Sequence, residues 1–414
     1  MAASGPSNAY YASVFLFPFK STTDPLSFEK TFPNVSPDTL AAFTILSSRR
    51  EDMRAALEKL GAEDAVPHAA NYLPSVSGII HASKSLPDPS AFFRRLNIAW
   101  VSVLQNGAKL TSKSFEFEVV MVLSTLAFLY VRFLFFEEKN LTKKVLTFIF
   151  SFFFLSSSSR HRATAAKKLS ILLSTSTGDV KIIGQHLLAA AGIFQHLHTQ
   201  MGGMGWQTDH GMLEHMGEAW AALQEVSHAE FMQVSLEQAV AKKMADSLLA
   251  KLCVEIAHKY AAAVEFLRQV ERRNGKPCLG ELTYYCAGSQ SLYNALSYVF
   301  LARDAVLNKA YGVSVARYKL ALELLQPIKI PSKAPPLEPL VKMIHAHKAK
   351  ISELAAAAEK DNSQVYFERI PAVTDPAVVT RPEGKAIGTP TPFVVPDPIH
   401  IPIVLAEVSS CSLQ

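Results

Sequence analysis

AEFMQVSLEQAVAKKMADSLLAKLCVEIAHKYAAAVEFL, residues 229–267, decides the fold. The stretch has no proline and no glycine and is rich in the strong helix formers Ala, Leu, Glu and Lys. Met244, Leu248, Leu252, Ile256, Tyr260 and Val264 recur every four residues. Leu249, Cys253 and Ala257 form a second apolar row beside them. Two adjacent rows predict one long helix packed on more than one side. Helices of that length belong to bundles or helical repeats. Nothing in the stretch carries catalytic chemistry.

The surrounding chain agrees. Its 414 residues are 49% hydrophobic and 19% charged, and the net charge of +5 is spread over both signs. That balance gives no nucleic-acid footprint. The four cysteines, Cys253, Cys278, Cys286 and Cys411, form no Cys-x-x-Cys pair, so neither a disulfide framework nor a zinc site is indicated. Tyr10–Phe19 reads as a short β segment. With no preceding Lys or Arg, and with Pro18 inside it, it does not read as a signal peptide. Ala2 stands where N-myristoylation needs glycine. Ser36-Pro37-Asp38 opens a helix, and Ser48–Leu60 reads as a second one closed by Gly61. His68–Ser85 is ambiguous, because Pro74 and Gly78 interrupt it. Phe92–Leu104 is an apolar run around Trp100, broken at Asn106-Gly107, and Phe115–Val131 reads as a buried helix. Helical patterns then cover 179–200, 212–226, 282–325 and 341–359, and the chain from Val373 is an extended, proline-rich tail.

Residues 133–162 stand apart: a phenylalanine-crowded run, then serines and a basic cluster, without helical period. Three readings compete. A membrane hairpin over 119–155 is opposed by the shortness of its apolar halves and the charges between them. An exposed hydrophobic loop would be an aggregation liability. The favoured reading is an insertion foreign to the fold, such as a retained intron, since its removal joins Arg132 to ATAAKKLSILL as one helical pattern.

Near the C-terminus, KDNSQVYFERIP at 360–371 resembles the signature of the BRO-one domain family shared by ALIX and BROX. The residues that carry it are Lys360, Asp361, Asn362, Tyr366, Glu368, Arg369 and Pro371. Leu96–Trp100, Ala189–Leu197 and the DSLLAKL block at 246–252 agree in order. The resemblance covers residues 9–400 apart from 133–162, with a flexible tail at 401–414. It implies an all-α, boomerang-shaped helical solenoid with a tetratricopeptide-like core. It also implies a non-enzymatic adaptor, without cofactor, in endosomal sorting. That adaptor would dock the C-terminal amphipathic helix of the filament-forming ESCRT-III subunit. By position, Leu248 and Leu252 carry over as contact residues, with Met244 in the same row; from periodicity alone a leucine pair like this belongs to the core more often than to an interface. Ser235 falls where family members supply an aromatic, and HAEFMQ at 228–233 only partly matches the block before it.

The chain ends Cys411-Ser412-Leu413-Gln414, the pattern of a prenylation signal that favours farnesyl. BROX-like members carry such an ending. The resemblance therefore implies a cytoplasmic protein held peripherally at endosomal membranes. One lipid chain anchors only weakly, so a second contact is needed. His196, His198, His210 and His215 flank a Met-Gly turn, but their spacing does not fit a metal site and they read as surface residues.

Overall fold

The computed structural model describes residues 23–59, 62–105, 107–133, 177–203, 212–275, 277–326 and 337–405. The expected β segment at Tyr10–Phe19, nearly all of the expected insertion, His210 and Cys411 lie outside them. The helices in chain order are α1 (Phe28–Thr31), α2 (Pro37–Glu58), α3 (Ala62–Ser83), α4 (Pro89–Phe93) and α5 (Phe115–Phe133). Then follow α6 (Thr177–Gly203), α7 (Gly217–Ala241), α8 (Asp246–Asn274), α9 (Gly280–Leu307), α10 (Tyr311–Leu324), α11 (Glu338–Asp361) and α12 (Pro376–Val379). β1 (Ile98–Val101) and β2 (Lys109–Ser112) form an antiparallel hairpin in which Trp100 faces Leu110. The chain is mostly helical, as its sequence predicts. Its contacts divide it into two units: the described residues of 137–191 and 221–391, and those of 18–136, 192–220 and 392–414.

In the second unit, α2 begins as predicted, with the Ser36 hydroxyl accepting the Thr39 N–H at 3.3 Å and Pro37 in the first turn. It does not stop for a second helix at Ser48; one helix runs from Pro37 to Glu58. Its inward face, Phe43, Leu46, Arg50, Met53 and Leu57, continues without interruption. The ambiguous stretch is also one helix, with Pro67 and Pro74 inside it. Each proline removes one backbone bond. Burial of Ala69, Tyr72, Leu73, Val76 and Ile79, on a helix packed against α2 and α5, compensates for those losses. Gly78 serves a different purpose, since a Cβ there would lie 2.1 Å from the Ile399 carbonyl oxygen. The C-terminal tail crosses α3 at this point, and Ile399 N–H donates to the Pro74 carbonyl at 3.1 Å.

A buried polar hub fixes the centre of this unit. Arg50 Nε donates to Glu118 Oε1 at 2.8 Å, with both side chains out of water. Tyr72 Oη donates to the same oxygen at 3.0 Å, and Trp100 Nε1 to Glu118 Oε2 at 2.5 Å. Arg50 also donates to the Asp24 carbonyl at 2.6 Å and to the Thr23 hydroxyl. Side chains from α2, α3 and β1 thus meet on one carboxylate of α5, and every polar group brings a partner, as burial demands. The adjacent Glu214 is held by Ser102 and by Gln105 Nε2 at 2.9 Å, all uncharged donors. Burial pushes its carboxyl above the ordinary range.

The first unit stacks α8 on α9, α9 on α10 and α10 on α11. The predicted single helix over 229–267 is two helices. Met244 N–H donates to the Ala239 carbonyl at 3.0 Å and Lys243 N–H to Val240 at 2.9 Å, with Lys243 at φ 53°. This is a Schellman turn with lysine where glycine usually stands. The same turn recurs after α9, where Lys309 has φ 61° and Ala310 N–H donates to Ala305 at 2.9 Å. The 282–325 pattern is therefore two helices, α9 and α10. Inside, Gln233 bonds the Tyr260 hydroxyl, which lies 3.3 Å from that of Tyr285, so α7, α8 and α9 share a satisfied polar seam.

Candidate partner-docking site

The three predicted contact residues occupy three depths. Met244, on the turn between α7 and α8, is 45% exposed; Leu248, one turn along, is half-buried; Leu252 is 3% exposed. Leu252 is thus a core residue, and its expected place on a partner-facing surface is corrected to the floor beneath one. Leu249, Cys253 and Ile256 of the same helix are buried as well, and α8 packs on α9. Lys242 and Lys243 are exposed beside Met244, and Asp246 meets Arg303 at 3.2 Å. The open end of the apolar row is therefore a short ledge, Met244 and Leu248, on a tight turn rimmed by charge. Ser235 donates its hydroxyl to the Phe231 carbonyl at 3.1 Å and supplies no aromatic surface.

The 360–371 signature acts as a clamp. α11 ends in a single wide turn over Asn362–Tyr366, and Phe367 takes the left-handed conformation at φ 54°. The buried Asn362 side chain binds both sides of the next peptide. Its Nδ2 donates to the Glu368 carbonyl at 2.9 Å, and its Oδ1 accepts the Glu368 N–H at 3.2 Å. Glu368 then reaches the start of α10, where its carboxylate accepts the Gly312 N–H at 2.8 Å. A carboxylate at a helix N-terminus meets unpaired N–H groups and a favourable dipole. Gly312 allows this approach, because a Cβ there would be 2.3 Å from the Arg369 carbonyl oxygen. Tyr366 stacks on Tyr311, with ring centroids 3.4 Å apart. The signature residues Asn362, Tyr366, Glu368 and Arg369 thus join α11 to α10. Lys360 and Asp361 are exposed at the end of α11, and Pro371 leads into the tail.

The tail departs from expectation at its end. Thr39 Oγ1 donates to the Pro402 carbonyl at 2.6 Å and accepts the Val404 N–H at 2.9 Å. Ile401 is buried, while the side chains of Val404 and Leu405 are exposed. Three of the four histidines have packing roles. The His196 ring lies 5.3 Å from that of Phe393, His198 Nδ1 is 3.0 Å from the Gly217 carbonyl, and His215 meets Phe117 edge-on. Among the described residues, no cluster of three His, Cys, Asp or Glu side chains is placed to hold a metal ion. No described helix is long and apolar enough to cross a membrane. The first half of the supposed hairpin is buried in protein, with Val120, Leu123, Leu126 and Leu129 inside, so the hairpin finds no support.

Comparison with known proteins gives a consistent result. A model of the BRO1-like domain family matches residues 155–390. ALG-2 interacting protein X of Dictyostelium discoideum is 24% identical over 198 residues, 47% of this chain and 24% of its own length. Programmed cell death 6-interacting protein of Rattus norvegicus is 27% identical over 178 residues, 42% of this chain and 18% of its own. The matched part is therefore a minor portion of either relative. Among solved structures, the chain resembles ALIX BRO1 in a complex with CHMP4C (TM-score 0.64, 19% identity, 94% of this chain and 97% of that one). It also resembles ALIX bound to a viral late-domain peptide (TM-score 0.66, 19% identity, 93% and 49%). A Bro1 domain described in terms of endosomal targeting gives a TM-score of 0.61 at 16% identity, over 92% and 93%. At these identities the structures establish a shared fold.

Proposed function

This chain belongs to the BRO1-like domain family, and we propose that it is a non-enzymatic adaptor of endosomal sorting, with a BRO-one-like domain over residues 9–400 interrupted by an insertion at 133–162. It docks the C-terminal amphipathic helix of the filament-forming ESCRT-III subunit. The observation that carries this reading is the open end of the α8 apolar row. Met244 stands 45% exposed and Leu248 partly buried above a buried Leu252. A partner helix needs apolar anchors one turn apart, and this ledge offers them. The CHMP4C complex of ALIX BRO1, a protein of the same fold, supports the choice of partner.

Cys411, followed by Ser412-Leu413-Gln414, is the proposed farnesylation site. The anchor places the protein in the cytoplasm, peripherally attached to endosomal membranes. Filament docking supplies the second contact that one lipid chain requires. Metabolic labelling with a farnesyl analogue should mark the wild type and leave Cys411→Ser unmarked. The docking itself is tested by titrating an ESCRT-III C-terminal helix peptide into the full chain. Leu248→Asp should weaken binding at least tenfold while leaving the helical circular-dichroism signal unchanged. Unchanged affinity would place the partner elsewhere.

A further inference from the structure

After the signature clamp, the tail recrosses the helices of the first unit in reverse order. Arg317 of α10 donates to the Ala377 carbonyl at 3.0 Å, and Tyr298 of α9 to Val379 at 2.9 Å. Arg381 turns back onto α9, bonding Asn294 Oδ1 at 2.5 Å and lying over the Tyr298 ring. Lys385 N–H donates to the Lys251 carbonyl of α8 at 3.2 Å. His228 of α7 bonds the Ile387 and Gly388 carbonyls at 3.2 and 3.1 Å. Thr391 N–H donates to Leu188 of α6 at 3.0 Å. One extended segment thus ties five consecutive helices.

Glycines mark its tightest contacts. A Cβ on Gly384 would lie 2.4 Å from the Glu255 carboxylate. One on Gly388, already at φ +65°, would lie 2.4 Å from the Phe231 ring. The same ring fills the space beside Gly184 on α6, 3.1 Å from where a Cβ would stand. Pro382 and Pro390 bracket this part of the tail and limit its freedom when unbound.

The placement has a mechanical meaning. α7 and α8 meet at the four-residue turn Lys242–Ala245; the Gln233–Tyr260 bond and the Lys259–Glu225 pair at 3.0 Å join them directly, and the strap adds a further tie. The strap grips α8 at Lys251, about 8 Å past the start of that helix, and α7 at His228, about 20 Å before its end. It therefore forms the third side of a triangle whose apex carries Met244. The strap adds to the Gln233–Tyr260–Tyr285 seam a second tie across α7 and α8 that resists their splaying.

We propose that His228 and Gly388 are positioning residues that, through the strap, hold the α7–α8 junction at the angle that presents Met244 and Leu248 to a partner helix. The inference rests on the docking reading above. The experiment uses the full chain with three variants. His228→Leu removes the ring donor, His228→Gln restores a donor, and Gly388→Val drives a side chain into the Phe231 ring. Two quantities are read: hydrogen exchange at 242–248, and affinity for an ESCRT-III C-terminal helix peptide. His228→Leu and Gly388→Val should speed exchange at 242–248 at least tenfold and weaken the peptide at least fivefold, while melting within a few degrees of wild type. His228→Gln should restore both. Should Gly388→Val fail to fold, His228→Leu against His228→Gln carries the comparison alone. Fast exchange confined to 384–391, with peptide affinity intact, overturns the proposal and leaves the docking reading standing. Accelerated exchange at 242–248 in a protein whose wild type ignores the peptide would sink the docking reading and leave the strap's grip on the junction established.

Discussion

Truncating Leu252 and Met244 to alanine should separate folding from docking, although both residues lie in one apolar row. Leu252 is 3% exposed. Removing its methyl groups forfeits their burial and leaves a cavity, a loss of about 2–5 kcal/mol. For a unit of this size each kcal/mol lowers the melting temperature by about 2–4 °C, so even the smaller loss moves it by about 4–8 °C. Met244 is 45% exposed on a turn, so its truncation should change stability by no more than about 0.5 kcal/mol. Its effect should appear in binding instead, where loss of an apolar anchor costs about 1 kcal/mol or more, about fivefold in affinity. Calorimetric melting of the full chain, paired with fluorescence titration of an ESCRT-III helix peptide, reads both. Equal melting shifts for the two variants would refute the assignment of depths. A Met244→Ala protein that binds the peptide as tightly as wild type would refute the ledge.

Three other residues give independent checks. Arg50→Met strands the Glu118 carboxylate among neutral donors and should cost about 3–5 kcal/mol in urea unfolding; a loss below about 1 kcal/mol would mean the hub is solvated. The Glu214 carboxyl titrates above its ordinary 4.5 in the folded state because burial disfavours its charge. Just above that value the folded chain therefore holds more protons than the unfolded one, and stability falls as pH rises. Glu214→Gln should flatten that fall in melts taken across the acidic range, and an unchanged slope would contradict it. Gly312→Val places a side chain on the Arg369 carbonyl and should open the clamp, read as faster proteolysis within 362–371; wild-type resistance would show that the seam tolerates the bulk.

The helical class was legible because apolar periodicity is written into each long segment. The joints were harder. Lys243 and Lys309 adopt left-handed turns that glycine would have announced, so 229–267 read as one helix. A charge signal was nevertheless present: Lys242-Lys243 directly follows α7 and Asp246 opens α8, the polarity that helix dipoles favour. The β1–β2 hairpin had its sign in Asn106-Gly107 between apolar runs, which the sequence reading treated only as a break. Pro74 and Gly78 misled in the other direction, where tertiary packing outweighed local cost. The signature at 360–371 was visible as a motif, but its clamp was not. The pairing of Glu368 with Gly312 and of Tyr366 with Tyr311 spans more than fifty residues and leaves no local pattern. The depth of Leu252 escaped for a related reason, since periodicity assigns a face but not what covers it.

A photo-crosslinking amino acid placed at Met244 in the full chain, incubated with an intact ESCRT-III filament subunit, tests the docking claim most directly. Mapping the adduct by mass spectrometry should find it on the partner's C-terminal helix, with no such adduct when the same group stands at Ile45, an exposed residue of α2. Adducts of equal yield from both positions, or none from Met244 while the subunit still binds, would contradict it.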